Sequence, residues 1–199
     1  MRQACRQHGF TLLEMLVTAA VILILISILI GAGRRIKERA AEDLNRSMLE
    51  VLCTAVEQYY DEAGRFPFVA NAGFNENDLE GLLAAVVDPP DSLVEKDGLG
   101  NEISNASSAA LYYFLSRIPS SRSIAAAVTD TLITSKDASG QAIRMEQPAG
   151  SGIWTDLPRY IDSWKTSIRY EYQLGWAFPV LTSAGPDKVF GTPDDITSK

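Results

Sequence analysis

The chain has 199 residues, with 18 basic and 25 acidic side chains, a net charge of −7 and a mean hydropathy of zero. An acidic balance gives no general attraction to nucleic acid. One histidine, His8, and two cysteines, Cys5 and Cys53, are too few for a multi-histidine metal centre or a disulfide scaffold.

Residues Met1 to Gly9 form a short segment that carries Arg2 and Arg6, holds no acid and ends on glycine. Phe10-Thr11-Leu12-Leu13-Glu14 follows and opens an apolar run to Gly33 with no other ionisable side chain. A run of roughly 20 apolar residues is long enough to span a bilayer as a helix. A carboxylate inside it costs on the order of a few kcal/mol, so Glu14 needs a cation, and none lies in the same run. A free α-amino group created by cutting before Phe10 is one such cation. An ordinary secretory signal, cut after Gly31-Ala32-Gly33, is disfavoured because the run is too long and Glu14 spoils its start. A plain N-terminal anchor explains the length but not the acid.

Beyond Gly33, apolar residues recur at Ile36, Ala40, Leu44, Met48, Leu52, Val56 and Tyr59, with Val51, Ala55 and Tyr60 beside them. This is the period of an amphipathic helix. Gly64 and Pro67 supply the stop, so one helix is predicted from about Phe10 to Ala63, roughly 80 Å long at ~1.5 Å per residue. Arg34, Arg35, Lys37 and Arg39 follow the apolar run more densely than Arg2 and Arg6 precede it, which by charge bias favours a cytoplasmic C-terminal part unless these cations pair with Glu38, Glu42 and Asp43 at helical spacing or with acids of adjacent subunits.

In the middle, Asn77 and Glu80 form a capping-like pattern before Leu79, Leu82, Leu83, Val86 and Val87, predicting a short helix that ends before Pro89-Pro90. Asp91 to Ser108 reads as loop with few core residues. Ser107 or Ser108 is expected to cap a helix through Leu111, Phe114, Leu115 and Ile118, with Pro119 beyond its end. Ile124 to Thr134 is ambiguous between helix and strand, and Lys136 to Gly140 reads as a turn. Asn45-Arg46-Ser47 and Asn105-Ala106-Ser107 match the glycosylation pattern and are read as incidental. Near the C-terminus the period changes to two: Ile168, Tyr170 and Tyr172 alternate with polar residues, and a second strand runs through Phe178 to Ser183, with Pro179 placing it at an edge or making it irregular. The fold class is α+β, a long N-terminal helix packed on a small antiparallel sheet that buries the stripe from Ala40 to Tyr59. Trp154, Trp164 and Trp176 are read as core or loop anchors. In the final loop, Ser183 to Ile196, Asp187, Asp194 and Asp195 converge if the chain closes at Gly185 and Gly191, and a hard cation would relieve their repulsion.

Arg2 to Gly9 followed by Phe10-Thr11-Leu12-Leu13-Glu14-Met15 and an apolar helix resembles the leader of type IV pilins and of the pseudopilins of type II secretion systems. That resemblance implies a membrane peptidase that cuts after Gly9 and N-methylates Phe10, and a Glu14 that meets the terminal amine of a neighbouring subunit during assembly. It implies these divisions: 1–9 a cleaved leader, 10–33 the transmembrane and assembly half of the helix, 34–63 its amphipathic half, and 64–199 a periplasmic globular part with the acidic loop 183–196. Cys5 and His8 leave with the leader, Cys53 stays as a small packed residue, and the side-chain balance moves from −7 to −9 as Arg2 and Arg6 go.

Tyr59-Tyr60 to Pro67, Asp162-Ser163-Trp164-Lys165-Thr166 and the final loop are similar to the major (G-type) pseudopilin, although Ser163 and Lys165 depart from its usual Pro and Gly. The resemblance implies calcium held by the side chains of Asp187, Asp194 and Asp195, the carbonyls of Ala184 and Val189, and an oxygen of Thr192. The function implied is a non-enzymatic subunit of a periplasmic filament anchored in the bacterial inner membrane. Its partners would be copies of itself, other pseudopilins, the prepilin peptidase and the inner-membrane assembly platform. The alternatives are a type IV pilus subunit for adhesion or DNA uptake, and a membrane-anchored hydrolase using Ser or Asp, for which no activating motif is present.

Overall fold

A computed structural model describes residues 12–67, 87–88, 93–137, 139–146, 150–173 and 175–199, with the side chains at 28–32, 34, 87 and 88 left aside. The short helix expected around residues 77–88 lies mostly outside the described residues. Its last two positions form a strand instead, β1 (Val87–Asp88), which pairs with a distant segment.

The chain divides into two units, 1–41 and 42–199, and the first helix, α1 (Leu12–Ala63), contributes to both. In the first unit the large apolar side chains described from Leu12 to Ile26 are 46–84% exposed. Among the described residues no helix is long and apolar enough to cross a membrane, but the sequence itself runs from Met15 to Gly33 without an ionisable group.

In the second unit α1 has a buried face at Asn45, Met48, Leu49, Leu52, Ala55, Val56 and Tyr59. The steps of three and four residues put these side chains on one stripe, and each fully buried Leu contributes roughly 1.5–3 kcal/mol. Burial starts later than the sequence pattern suggested: Ala40 is exposed and Leu44 is 39% exposed. The helix stops where Gly64 takes φ +70°, its N–H bonding the Tyr60 carbonyl at 2.8 Å, a left-handed cap that glycine adopts without strain. Phe66 then stacks on Tyr60 and meets Tyr172 and Phe178, while the Tyr170 hydroxyl donates to the Pro67 carbonyl.

Among the described residues, four small antiparallel sheets complete the unit. They comprise a hairpin of β2 (Val94–Lys96) and β3 (Glu102–Ser104), a pair of β4 (Ile133–Thr134) and β7 (Arg159–Tyr160), and two three-stranded sheets. The first of these orders β1, β5 (Arg144–Glu146) and β6 (Trp154–Asp156). The second orders β10 (Ile196–Thr197), β9 (Val180–Ser183) and β8 (Arg169–Glu171). Pro179 falls just before β9, so this central strand keeps all its ladder donors. The fold is α+β and pilin-like, with the long helix packed against small antiparallel sheets.

Among the described residues, two further helices close the core. In α2 (Ala106–Arg117) the N-cap is Asn105, and Ser107 and Ser108 lie buried in the first turn instead of capping it. Pro119 does not merely follow α2; it starts α3 (Pro119–Ala125) as its first residue, where a missing N–H costs nothing. The mixed Ile124–Thr134 stretch is split between the end of α3, a 3₁₀ turn at Asp130–Leu132 and β4. Ser108 donates to the Tyr160 carbonyl at 2.7 Å and Ser121 to the Ala55 carbonyl at 2.8 Å, fixing both helices to their neighbours. The main core joins α1 to Leu111, Leu115, Tyr160, Ile168, Tyr170, Leu181 and Ile196. A second cluster holds Leu93, Ala109, Ile143, Met145 and Leu157, so the stretch read as loop near residue 93 contributes a core leucine and a hairpin.

Candidate functional site

Gly9 and Phe10 lie outside the described residues. Glu14 stands in the first turn of α1, exposed among exposed apolar neighbours. A carboxylate at a helix N-terminus faces the positive end of the helix dipole, a modest gain of about 0.3–1 kcal/mol that cannot alone offset its cost in lipid.

The C-terminal loop joins β9 to β10 through residues 184–195 and closes as the sequence suggested, with Gly185 and Gly191 at φ +68° and +90°. A Cβ on Gly185 would stand 2.4 Å from the Asp194 carbonyl oxygen, so the closure admits no larger residue without rearrangement. Each of the three aspartates accepts a backbone N–H. Asp187 Oδ1 takes Val189 N at 2.8 Å, Asp194 Oδ2 takes Asp187 N at 3.2 Å, and Asp195 Oδ2 takes Gly191 N at 2.7 Å. The Thr192 hydroxyl lies 2.6 Å from Asp194 Oδ1 and 3.0 Å from the Val189 carbonyl. That hydroxyl, followed by the Asp187 amide, holds the Asp194 carboxyl below the usual carboxylate range.

The loop therefore brings Asp187, Asp194, Thr192 and Val189 together, with Ala184 buried at its entry. Asp195 turns to Gly191, and its Oδ1 is buried without a hydrogen-bond partner. Among the described residues no group of three or more His, Cys, Asp or Glu is gathered as a metal site. The donors are all hard oxygens of the kind calcium accepts, and the orphaned Asp195 Oδ1 is an acceptor that a cation would satisfy. The fit is thus one of donor chemistry.

The Asp162-Ser163-Trp164-Lys165-Thr166 segment is a buried polar knot. Asp162 Oδ1 accepts Trp164 N and Thr166 N, each at 2.9 Å, and Oδ2 accepts the Ser183 hydroxyl at 2.8 Å. It ties the turn to the strand that leads into the acidic loop. Burial raises the Asp162 pKa despite these bonds. Asn45 of α1 accepts both the amide and the hydroxyl of Ser163. Asn45 and Asn105 are both buried, so neither glycosylation pattern is an acceptor in the fold. Cys53 is half-buried against the core and burial pushes its thiol pKa up, the behaviour of a packing residue. Trp164 packs on the core and Trp176 lies under the Lys199 ammonium, whereas Trp154 is 44% exposed on β6 and anchors nothing in the core.

Sequence reasoning missed a repeated turn. Asp97, Asp137 and Asp162 each accept the N–H groups two and four residues ahead, and the residue three ahead is left-handed: Gly100, Gly140 and Lys165, at φ +86°, +88° and +73°. The near-repeat Lys96-Asp97-x-x-Gly100 and Lys136-Asp137-x-x-Gly140 was its sequence signal.

Residues 5–30 match the family described as the prokaryotic N-terminal methylation motif. By that motif the protein is a type IV pilin-like subunit with a processed N-terminal leader, made to be cut by a prepilin peptidase and to polymerise. No curated protein and no solved structure matches the chain.

Proposed function

We propose that this protein is a structural subunit of a type II secretion pseudopilus. It is held in the inner membrane by residues 10–33, with residues 64–199 in the periplasm, and it polymerises through its N-terminal helix to help drive export of folded proteins across the outer membrane. The observation that carries the filament reading is the placement of Glu14. It is the only ionisable residue between Phe10 and Gly33, four residues after Phe10, in a helix whose described large apolar side chains from Leu12 to Ile26 are exposed. In the filament a neighbouring subunit's N-methylated Phe10 amine lies against Glu14, and packed helices of other copies, or lipid, supply the cover.

The choice of pseudopilus rests on the closed acidic loop and on the Asp162 turn, both similar to the major pseudopilin. In this reading Asp187, Asp194 and Asp195, with the carbonyls of Ala184 and Val189 and the Thr192 hydroxyl, hold calcium, and the ion stabilises loop closure. Linkage gives about 2.7 kcal/mol at a calcium level roughly a hundredfold above Kd. Calorimetry and thermal melting of the processed protein in detergent test this. Melting should rise in calcium and not in magnesium, and Asp187→Ala should lose the calcium-dependent increment. No binding at millimolar calcium would leave the loop closed by hydrogen bonds alone.

Two experiments test the rest. Mass spectrometry should find a mature chain that starts at methylated Phe10, and Gly9→Val should leave the precursor uncut. A deletion strain should retain secreted proteins in the periplasm; normal secretion with loss of adhesion or DNA uptake would make the filament a type IV pilus.

A further inference from the structure

Charge is spread unevenly along α1. Arg34, Arg35, Lys37 and Arg39 fall within six residues that hold one acid, Glu38, a local balance of +3 in a chain of −7. We infer that this collar of cations binds the headgroups of acidic phospholipids at the membrane surface. The inference rests on the proposed span of residues 10–33 and adds a lipid class to it.

Length places the collar. From Met15 to Gly33 there are 19 residues without an ionisable group. They make about 29 Å of helix at ~1.5 Å per residue, against a hydrocarbon core ~30 Å thick. The helix continues through Gly33 without interruption, so the cations follow where hydrocarbon gives way to phosphate. Arg and Lys lay their apolar stems along such a boundary and hold their charged heads in the polar layer. Ile36, 68% exposed among them, adds an apolar side chain at the same level.

The arrangement fits lipid better than a protein partner. At ~100° per residue, positions 34, 35, 37 and 39 lie at about 0°, 100°, 300° and 140° round the helix axis. They circle the helix, whereas a docked protein covers one side of it and headgroups surround it. Inorganic phosphate carries the same chemical group but not the fixed plane that meets a ring of cations.

The cations also stand uncommitted. Arg35, Lys37 and Arg39 are exposed. Glu38, Glu42 and Asp43 lie at helical spacing from them, yet among the described residues Arg35, Lys37 and Arg39 are within ion-pair distance of no carboxylate. The sign of the sequence then reverses at Glu42 and Asp43, one turn further from the apolar run. With residues 64–199 in the periplasm, the collar crosses the membrane against the charge bias, since it outweighs Arg2 and Arg6. Acidic headgroups on the far side offset that cost, because a negative leaflet attracts juxtamembrane cations within about one Debye length.

The test is electron spin resonance of the full-length protein in phosphatidylcholine vesicles that carry spin-labelled phosphatidylglycerol or spin-labelled phosphatidylcholine. The fraction of label slowed by the protein gives the relative association of the two lipids. Wild type should favour phosphatidylglycerol at least about threefold, and the preference should shrink between about 0.05 and about 0.5 M salt. Arg34→Gln, Arg35→Gln, Lys37→Gln and Arg39→Gln combined keep good helix formers in place and should abolish the preference. Arg2→Gln with Arg6→Gln should leave it intact, and Glu38→Gln should raise it. Retention of each protein in the vesicles at alkaline pH reads the span separately. Wild type that washes out would overturn the span and the proposal together. If wild type is retained, the proposal alone fails on equal association of the two lipids, on a preference that follows Arg2 and Arg6, or on one that inorganic phosphate abolishes at constant ionic strength.

Discussion

The same helix carries two apolar stretches that meet opposite fates. Met48, Leu49, Leu52, Ala55, Val56 and Tyr59 are buried, while Leu12 to Ile26, far more hydrophobic in sequence, stand exposed. Hydrophobicity thus does not set burial within one chain; the presence of a complementary surface does. From residue 45 onward the chain supplies its own, from α2 and the β8–β10 sheet. Before that, the described apolar side chains from Leu12 to Ile26 are exposed, and in the proposed reading lipid or other copies cover them, so the contrast separates the part of the helix that folds the subunit from the part proposed to assemble it.

Substitution in each stretch should separate the two roles. Leu52→Ala should cost about 2–5 kcal/mol of unfolding free energy for the 42–199 unit, as expected for a leucine at zero exposure. Leu23→Ala should change the same quantity by less than about 0.5 kcal/mol. Denaturant melts read by tryptophan fluorescence make the comparison, and equal losses would erase the distinction.

Asp162→Ala should destabilise the folded unit by about 3 kcal/mol, because two amides and the Ser183 hydroxyl lose their acceptor inside the protein. Asp162→Asn should recover much of that, since an amide oxygen can still take the two N–H groups. Gly185→Ala should cost about 2 kcal/mol through its φ of +68° and the Asp194 carbonyl behind it. Its effect should be confined to the unit that ends in the acidic loop.

Acid should weaken the same unit. Asp97, Asp137, Glu146 and Asp194 are held below their usual values, chiefly by side-chain hydrogen bonds at the aspartates and by the Gly150 amide at Glu146. The stability they contribute is complete above the ordinary carboxylate range and is lost as pH falls through their lowered values. Asp162 runs the other way. With its folded value raised by burial, its contribution is present below its unfolded value and lost as pH rises through the raised one. Melting temperature followed from neutral pH downward should therefore fall, and Asp162→Asn should steepen the fall. A small gain is expected from Lys165→Asn, which eases a left-handed residue and should raise stability by about 0.5 kcal/mol.

Much of the helix was legible in the sequence because its signals are local: the 3.6-residue period, Gly64 as a left-handed stop and Glu14 alone in an apolar run all announce themselves over a few residues. The alternation at Tyr170 and the closure of the acidic loop at Gly185 and Gly191 were legible for the same reason. The Val94–Ser104 hairpin was not. Its strands are three residues each, too short for alternation to show, and it is held by the Asp97 turn and by Leu93, whose burial depends on α2 and β5 far along the chain. Ser107 and Ser108 misled as caps because their hydroxyls serve tertiary contacts, Ser108 to Tyr160 and Ser107 to Tyr170 N. In the loop, the spacing of Asp187, Asp194 and Asp195 suggested convergence, but it could not show that Asp195 turns to the Gly191 amide.

The most direct test of assembly through the N-terminal half is the yield of sheared, pelletable filaments from Glu14→Ala beside wild type, with the mature N-terminus of each determined. The variant should be inserted, cut before Phe10 and folded from residue 42 onward, yet remain in the membrane as a monomer with few filaments. Filaments at wild-type yield from fully processed Glu14→Ala would contradict the account.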